Sequence, residues 1–316
     1  IKYHKDLIKM SKNNCFKHVA KKCFRYFKKQ ETKKEKFKNK KKMLLNYLIP
    51  LSFWINEKSN QYSNTYFLGL SGGQGAGKTT ITSLLNIILT NYFKKKVCIF
   101  SIDDFYKTLN DRKKLSKKIH PLLKTRGVPG THDIKFIINY LKKIKLKKNK
   151  VISLPIFDKS IDDRAIKSKW KKINYIPDII ILEGWCVGAK PQSNKLLNKA
   201  VNILEKKEDL NFKWRNYVNK QLKNKYKYLF NKMNDIIYMK VPNFSSLQKW
   251  RLKQENKLRL KNIKKKFKIM TNSEVLKFMM TYQRVTQQMF KDLPKIASIV
   301  LNLNKNHQIK NIRYIK

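Results

Sequence analysis

The segment that most limits what this chain can fold into runs from residue 72 to residue 80 and reads GGQGAGKTT. It fits the pattern G-x-x-x-x-G-K-[ST] at every fixed position. Glycines let backbone N–H groups approach a phosphate, the lysine ammonium reaches the β- and γ-phosphates, and the threonine hydroxyl can hold Mg²⁺. The predicted ATP-binding residues are Gly72, Gly73, Gln74, Gly75, Ala76, Gly77, Lys78, Thr79 and Thr80.

The flanking segments support this interpretation. Residues 66–70 (YFLGL) are typical of a buried strand, and residues 81–93 carry apolar side chains at helical spacing. A strand, a glycine loop and a helix in this order aim the helix N-terminus at a phosphate. The alternative, a flexible surface loop, does not account for that context.

Short apolar segments alternate with helical ones along the rest of the chain. Further strands are predicted at about 97–102, 151–155, 178–182, 235–241 and 298–303. This alternation predicts an α/β protein with the P-loop NTPase fold, a parallel sheet of about five strands flanked by helices. We also predict a helical insertion at about 191–234 and a lid region at about 251–272.

The charge of the chain is extreme, at +54, from 74 Lys/Arg against 20 Asp/Glu. Such a charge is compatible with nucleic-acid or anionic-membrane binding. It is also what an AT-rich genome would produce, since Lys, Asn and Ile are all abundant. The excess is mostly Lys without a localised Arg-rich patch, so no specific nucleic-acid partner is expected.

Residues 1–43 carry 17 Lys/Arg against 3 Asp/Glu and little helical periodicity. We predict a basic extension, disordered or loosely helical, ahead of a catalytic domain at 44–316. The accompanying hypothesis is that removing residues 1–42 leaves activity intact.

The four cysteines form no C-x-x-C pair, which predicts reduced thiols and a cytoplasmic protein. No apolar run approaches the length of a membrane span, so no membrane association is expected.

Two acidic residues follow predicted strands at the edge where α/β proteins bind ligands. Asp103 can accept the proton of an attacking hydroxyl, the role of an Asp in other phosphoryl-transfer enzymes. Asp103 or its neighbour Asp104 could instead bind Mg²⁺ or cap a helix. Glu183 ends an apolar run and could hold Mg²⁺ directly or through water, the alternative being an ordinary capping residue.

Two polar loops follow the second and third predicted strands, where an acceptor substrate would lie. They read RGVPGTHD (126–133) and FDKSIDDR (157–164), and an arginine in either could pair with a carboxylate. The alternative for both is a solvated surface loop. The candidate acceptor-binding residues are Asp104, Tyr106, Arg126, His132, Asp158 and Arg164.

A helix predicted at about 244–260 carries Arg251, which could close over the triphosphate as a lid cation. The predicted catalytic residues are therefore Asp103, Lys78 and Arg251.

The segments GGQGAGKTT, SIDDFY, HPLLKTRGVPGTHD, LPIFDKSIDDR and ILEGWCVGA together resemble one family. The chain from about Pro50 onward is similar to glycerate 3-kinases, within the phosphoribulokinase/uridine kinase branch of P-loop kinases. RGVPGTHD and EGWCVGA are more specific than the phosphate loop.

This resemblance implies an ATP- and Mg²⁺-dependent kinase of a small hydroxyl-bearing metabolite, with D-glycerate as the first candidate. It implies Asp103 as the base, Glu183 near Mg²⁺, and Arg126, Asp158 and Arg164 near the acceptor. Two alternatives stay open. A nucleoside or pantothenate-type kinase would share the core, and a nucleic-acid-binding NTPase would use the basic surface.

Overall fold

The computed structural model describes residues 2–33, 35–145, 151–261 and 270–315. The strands form one central sheet and two separate two-stranded sheets. The strands are β1 (Tyr66–Gly72), β2 (Val97–Ser101), β3 (Ile152–Leu154), β4 (Phe157–Asp158), β5 (Asp163–Arg164), β6 (Lys171–Ile173), β7 (Ile179–Gly184), β8 (Asp235–Lys240), β9 (Ile299–Leu303) and β10 (Ile309–Tyr314).

The central sheet has the strand order β10-β9-β8-β1-β7-β2. Five of these strands are parallel, and β10 pairs antiparallel with β9 at one edge. The predicted α/β fold with a parallel sheet of about five strands is therefore confirmed. The position of β1 between β7 and β8 brings the phosphate loop to the middle of the sheet.

The strand predicted at 151–155 exists as β3, but it lies outside the central sheet, so its predicted place in the parallel sheet was wrong. β3 instead pairs antiparallel with β6 in a separate two-stranded sheet. Its side chains are buried on one face only, whereas a parallel strand inside an α/β sheet is buried on both. The fifth parallel strand is β9.

Helices cover both faces of the sheet. They are α1 (Lys2–Gln30), α2 (Lys40–Met43), α3 (Ile49–Asn60), α4 (Lys78–Asn91), α5 (Leu109–Lys118), α6 (Ile134–Lys145), α7 (Asn194–Asn198), α8 (Ile203–Glu208), α9 (Lys213–Gln221), α10 (Lys227–Phe230), α11 (Phe244–Lys261) and α12 (Asn272–Ile296). One core lies between the sheet and α1, α3 and α4, and the other lies between the sheet and α6, α9 and α12. The predicted insertion at 191–234 contains α7, α8, α9 and α10.

The N-terminal region differs from its prediction. Residues 2–30 form α1, whose side chains Cys15, Val19, Cys23 and Phe27 are fully buried against the core that contains α3 and α4. These four side chains are spaced four residues apart and so form one apolar stripe along the helix. Of the two predicted forms, disordered or loosely helical, these residues have the helical one, and they pack on the core. The packing was not predicted because lysines on the other faces of the helix obscure this stripe in the sequence.

The four cysteines are buried free thiols. Within the described ranges, no helix combines the length and the hydropathy needed to cross a bilayer.

Candidate active site

The phosphate loop joins β1 to α4. Gly75 and Gly77 have φ angles of +78° and +88°, which residues with side chains rarely adopt. The Lys78 ammonium donates a hydrogen bond to the carbonyl oxygen of Gly73 at 3.1 Å, and burial lowers its pKa. Because α4 begins at Lys78, the positive end of a helix completes this anion-binding loop.

β7 lies beside β1 and brings Glu183 to the phosphate loop. Leu70 of β1 is the register partner of Glu183, and the Thr79 hydroxyl donates to Glu183 Oε1 at 3.0 Å. Burial raises the pKa of Glu183, although the nearby Lys78 acts in the opposite direction. A hydroxyl and a carboxylate are thus paired where the triphosphate would end.

Asp103 reaches the same place from β2. Ser101 is the register partner of Glu183, and Asp103 follows it in a 3₁₀ turn. The Tyr106 hydroxyl donates to Asp103 Oδ1 at 3.1 Å, and Lys159 Nζ lies 3.5 Å from Oδ2.

The charge state of Asp103 suits a proton acceptor. Burial alone would raise the pKa of this carboxyl, but Lys159, Lys78 and the hydrogen bond from Tyr106 lower it overall. Asp103 is therefore ionised at neutral pH and able to take a proton from a hydroxyl.

The neighbouring Asp104 is in a different environment and does not line the cavity. Its Oδ1 accepts a hydrogen bond from the backbone N–H of Phe157 at 3.3 Å. Burial raises the pKa of Asp104 to about 6. Asp104 thus connects two loops, and the structure does not bring it to the acceptor position that the sequence suggests.

Arg126 lines the cavity and is held in place by a residue that sequence reasoning did not single out. Its guanidinium forms an ion pair with Asp162 and lies 5.5 Å from the centre of the Phe157 ring. Asp162 has a left-handed backbone, with φ of +53°, and also binds the fully buried Arg112 at 3.1 Å. Aspartate tolerates this conformation in tight turns, and the turn brings its carboxylate to both arginines.

Tyr106 lines the cavity, but His132 lies behind it. The two rings stack with centroids 4.4 Å apart, and His132 Nδ1 is hydrogen-bonded to the Tyr226 hydroxyl at 2.6 Å. Burial lowers the pKa of His132 to about 4, so the ring is neutral. His132 supports Tyr106 and does not itself reach the cavity.

Asp158 and Arg164, both predicted near the acceptor, also lie outside the cavity lining. Asp158 accepts the backbone N–H of Ser160 at 2.9 Å. Arg164 donates to the carbonyl oxygen of Tyr106 at 2.9 Å and lies 3.7 Å from Asp133. Both residues shape the loops around the cavity.

Arg251 lies on α11 and lines the cavity, as expected of a lid cation. It forms an ion pair with Glu255 at 2.9 Å. The backbone at Trp250 and Arg251 packs against the phosphate loop, since a Cβ on Gly75 would lie 3.4 Å from it. Residues 262–269 of the predicted lid lie outside the described residues.

One open cavity of about 2210 Å³ is shared by the phosphate loop, Asp103, Tyr106, Arg126, Glu183 and Arg251. It is large enough for a nucleotide and a second substrate together. Several residues that line the cavity were not predicted from the sequence. Two of them, Lys159 and Asp162, belong to the charged loop at 157–164. The other missed wall residues include Trp185, Tyr282, Trp250 and His307.

Gly127 and Tyr282 form a close contact at this cavity. Gly127 has φ of +144°, and a Cβ there would lie 2.1 Å from the Tyr282 hydroxyl. That hydroxyl is buried without a well-formed hydrogen bond in the described part of the chain, with the Gln74 side chain beside it. Trp185 Nε1 donates to the Gly127 carbonyl at 3.0 Å.

Replacing Gly127 by alanine should therefore displace the loop that carries Arg126. We expect about 1–3 kcal/mol of lost stability from overpacking, measured by urea unfolding, and a raised KM for the acceptor. Unchanged stability together with an unchanged KM would contradict this contact.

Comparisons with known proteins identify the family. The model of the phosphoribulokinase/uridine kinase family matches residues 67–245. The chain belongs to this family. It is therefore a P-loop kinase, as the order of its motifs indicated.

Individual relatives agree with this assignment. The chain is 32% identical over 242 residues to "Uncharacterized kinase mug58" of Schizosaccharomyces pombe, covering 72% of this chain and 82% of that protein. It is 29% identical over 236 residues to the chloroplastic D-glycerate 3-kinase of Arabidopsis thaliana, covering 69% of this chain but only 49% of that enzyme. A solved structure of D-glycerate 3-kinase from Cryptococcus neoformans has the same fold, with a TM-score of 0.72 and 23% identity over 85% of this chain and 99% of its own.

Proposed function

We propose that this kinase transfers the γ-phosphoryl group of ATP to a hydroxyl of a small carboxylic acid, with D-glycerate as the first candidate. The observation that carries the proposal is Arg126, a guanidinium that lines the same cavity as the ionised Asp103. An arginine can bind a carboxylate with two parallel hydrogen bonds and so fix the acceptor hydroxyl near a base. The similarity to the Arabidopsis enzyme supports the same acceptor class.

In this proposal Lys78 and the loop amides bind the β- and γ-phosphates. Asp103 accepts the proton of the acceptor hydroxyl as its oxygen attacks the γ-phosphorus, and ADP leaves. Lys159 and Arg251 are the cations placed to offset negative charge on the transferred group. Catalysis is then mainly positioning and charge neutralisation.

The residues present also fit Mg²⁺. Thr79 and Glu183 offer a hydroxyl and a carboxylate oxygen 3.0 Å apart, and Mg²⁺ prefers oxygen ligands and takes only one or two from protein beside substrate phosphates. We propose that these two residues hold it, where it would neutralise charge on the β- and γ-phosphates.

Replacing Arg126 by alanine should reduce kcat/KM for D-glycerate by about 10–100-fold, since a hydrogen bond to a charged group contributes about 1.5–3 kcal/mol. The rate with glycerol, which has similar hydroxyls and no carboxylate, should not change. Both rates are measured by coupled ADP release.

Arg313→Ala, on the exposed side of β10, is the matched control and should behave as wild type. Equal losses with glycerate and glycerol in the Arg126 variant would argue against carboxylate recognition by this residue.

A further inference from the structure

The cavity extends to both sides of the phosphate loop, and the proposed acceptor occupies only one of these two ends. Asp103, Arg126 and Asp162 line the acceptor end. At the other end, beyond the phosphate loop, the wall is formed by α11, the loop after β9 and the segment we call the N-terminal strap (residues 35–43). In the proposed mechanism the γ-phosphate lies beside Asp103, which leaves this other end for the nucleoside of ATP.

The phosphate loop is continuous with that end through two stacked rings. Trp250 and His307 stack with centroids 4.2 Å apart. Trp250 lies against Gly75, and His307 Nε2 lies 3.5 Å from where a Cβ on Gly77 would be. The stacked pair therefore forms the part of the wall next to the triphosphate.

Glu35 of the strap binds the helix that carries Trp250. Its carboxylate lies 3.2 Å from Lys253 Nζ and 3.7 Å from Lys257 Nζ. Lys257 also donates to the carbonyl oxygen of Gln30 at 2.9 Å. These contacts link α11 to the N-terminal region on the side facing the cavity.

The strap is itself anchored to the core. Glu31 binds Lys40 at 2.7 Å and accepts the backbone N–H of Phe37 at 2.7 Å. The Phe37 ring packs on the buried Phe27 of α1 with centroids 5.0 Å apart. These contacts attach the strap on the C-terminal side of Glu35 to α1 and its core.

The strap and the four residues before it are strongly basic. Residues 31–43 contain seven lysines and only two acidic residues, Glu31 and Glu35. Both acidic residues form ion pairs, Glu31 with Lys40 of the strap and Glu35 with Lys253 of α11. In so basic a chain, this placement of carboxylates fixes the strap and α11 against mutual repulsion.

We propose that the N-terminal strap closes the nucleoside end of the ATP site and that Glu35 is the positioning residue that holds α11 against it. The proposal rests on the proposed use of ATP. It predicts that loss of the Glu35 contacts weakens binding of the nucleoside part of ATP and does not weaken binding of its phosphates.

The test is Glu35→Lys, with dissociation constants for ATP and for inorganic tripolyphosphate measured by calorimetry. Repulsion from Lys253 and Lys257 should weaken ATP binding by about tenfold, while tripolyphosphate binding is retained or tighter. Weaker ATP binding cannot result from the added positive charge alone, because that charge would strengthen the binding of both anions. Retained tripolyphosphate binding also shows that the variant is folded.

Adding Lys253→Glu to Glu35→Lys should restore ATP affinity by reversing the ion pair. Glu57→Lys, on the exposed face of α3, is the matched control and should not weaken ATP binding. ATP binding as tight as wild type in Glu35→Lys, or parallel weakening of ATP and tripolyphosphate, would overturn the proposal. Because these experiments measure binding, their result for the strap does not depend on whether D-glycerate is the acceptor. Wild-type protein that binds no ATP would instead refute the proposed function itself.

Discussion

Replacing Asp103 by asparagine should lower kcat by about 10²–10⁴-fold, the usual contribution of general base catalysis. The amide has nearly the same shape but cannot accept the proton of the acceptor hydroxyl. ATP affinity should change little, because in the proposed mechanism Lys78 and the glycine loop bind the phosphates. Single-turnover rates and ATP titrations on the same protein separate the two effects.

Asp104→Asn is the matched comparison, since the two carboxylates are adjacent in sequence and differ in surroundings. Asparagine at 104 keeps an oxygen that can accept the Phe157 N–H, so we expect a much smaller loss of kcat. Equal losses in the two variants, or near-normal turnover with Asn at 103, would refute Asp103 as the base.

Replacing Phe27 by alanine should lower the free energy of unfolding by about 3–5 kcal/mol, the usual cost of removing a buried phenylalanine. Phe27 is fully buried on α1. Removing residues 1–42 should go further and leave an aggregation-prone protein, because a domain has only about 5–15 kcal/mol of stability in total. Chemical denaturation and size-exclusion chromatography measure these outcomes.

Phe24→Ala is the control on the same helix, because Phe24 is 36% exposed. It should cost much less than Phe27→Ala. A stable, fully active protein without residues 1–42 would instead restore the hypothesis that this region is dispensable.

Sequence reasoning predicted the sheet and the donor half of the site because both depend on local patterns. The glycine loop, its lysine and the acidic residues at the ends of β2 and β7 are each readable within a few residues. Parallel strands place their carboxyl ends at one edge, so Lys78, Asp103 and Glu183 could be expected to meet.

The contacts between distant loops could not be predicted in this way. The ion pair of Arg126 with Asp162 depends on how two loops fold over each other. The same is true of His132, which resembles a site residue in sequence but binds Tyr226 behind the cavity. The apolar stripe of α1 is a local pattern with a four-residue spacing. It was not recognised because lysines surround it in the sequence.

Phosphoryl transfer from ATP to a small carboxylic acid is the activity that we propose for this chain. The most direct measurement is the rate of ADP release from ATP and Mg²⁺ with D-glycerate, nucleosides, pantothenate or ribulose 5-phosphate added singly, and with RNA or DNA. We predict little release until D-glycerate is added, and phosphoglycerate formed in equal amount to ADP. Release that needs no small acceptor and is stimulated by nucleic acid would contradict the account.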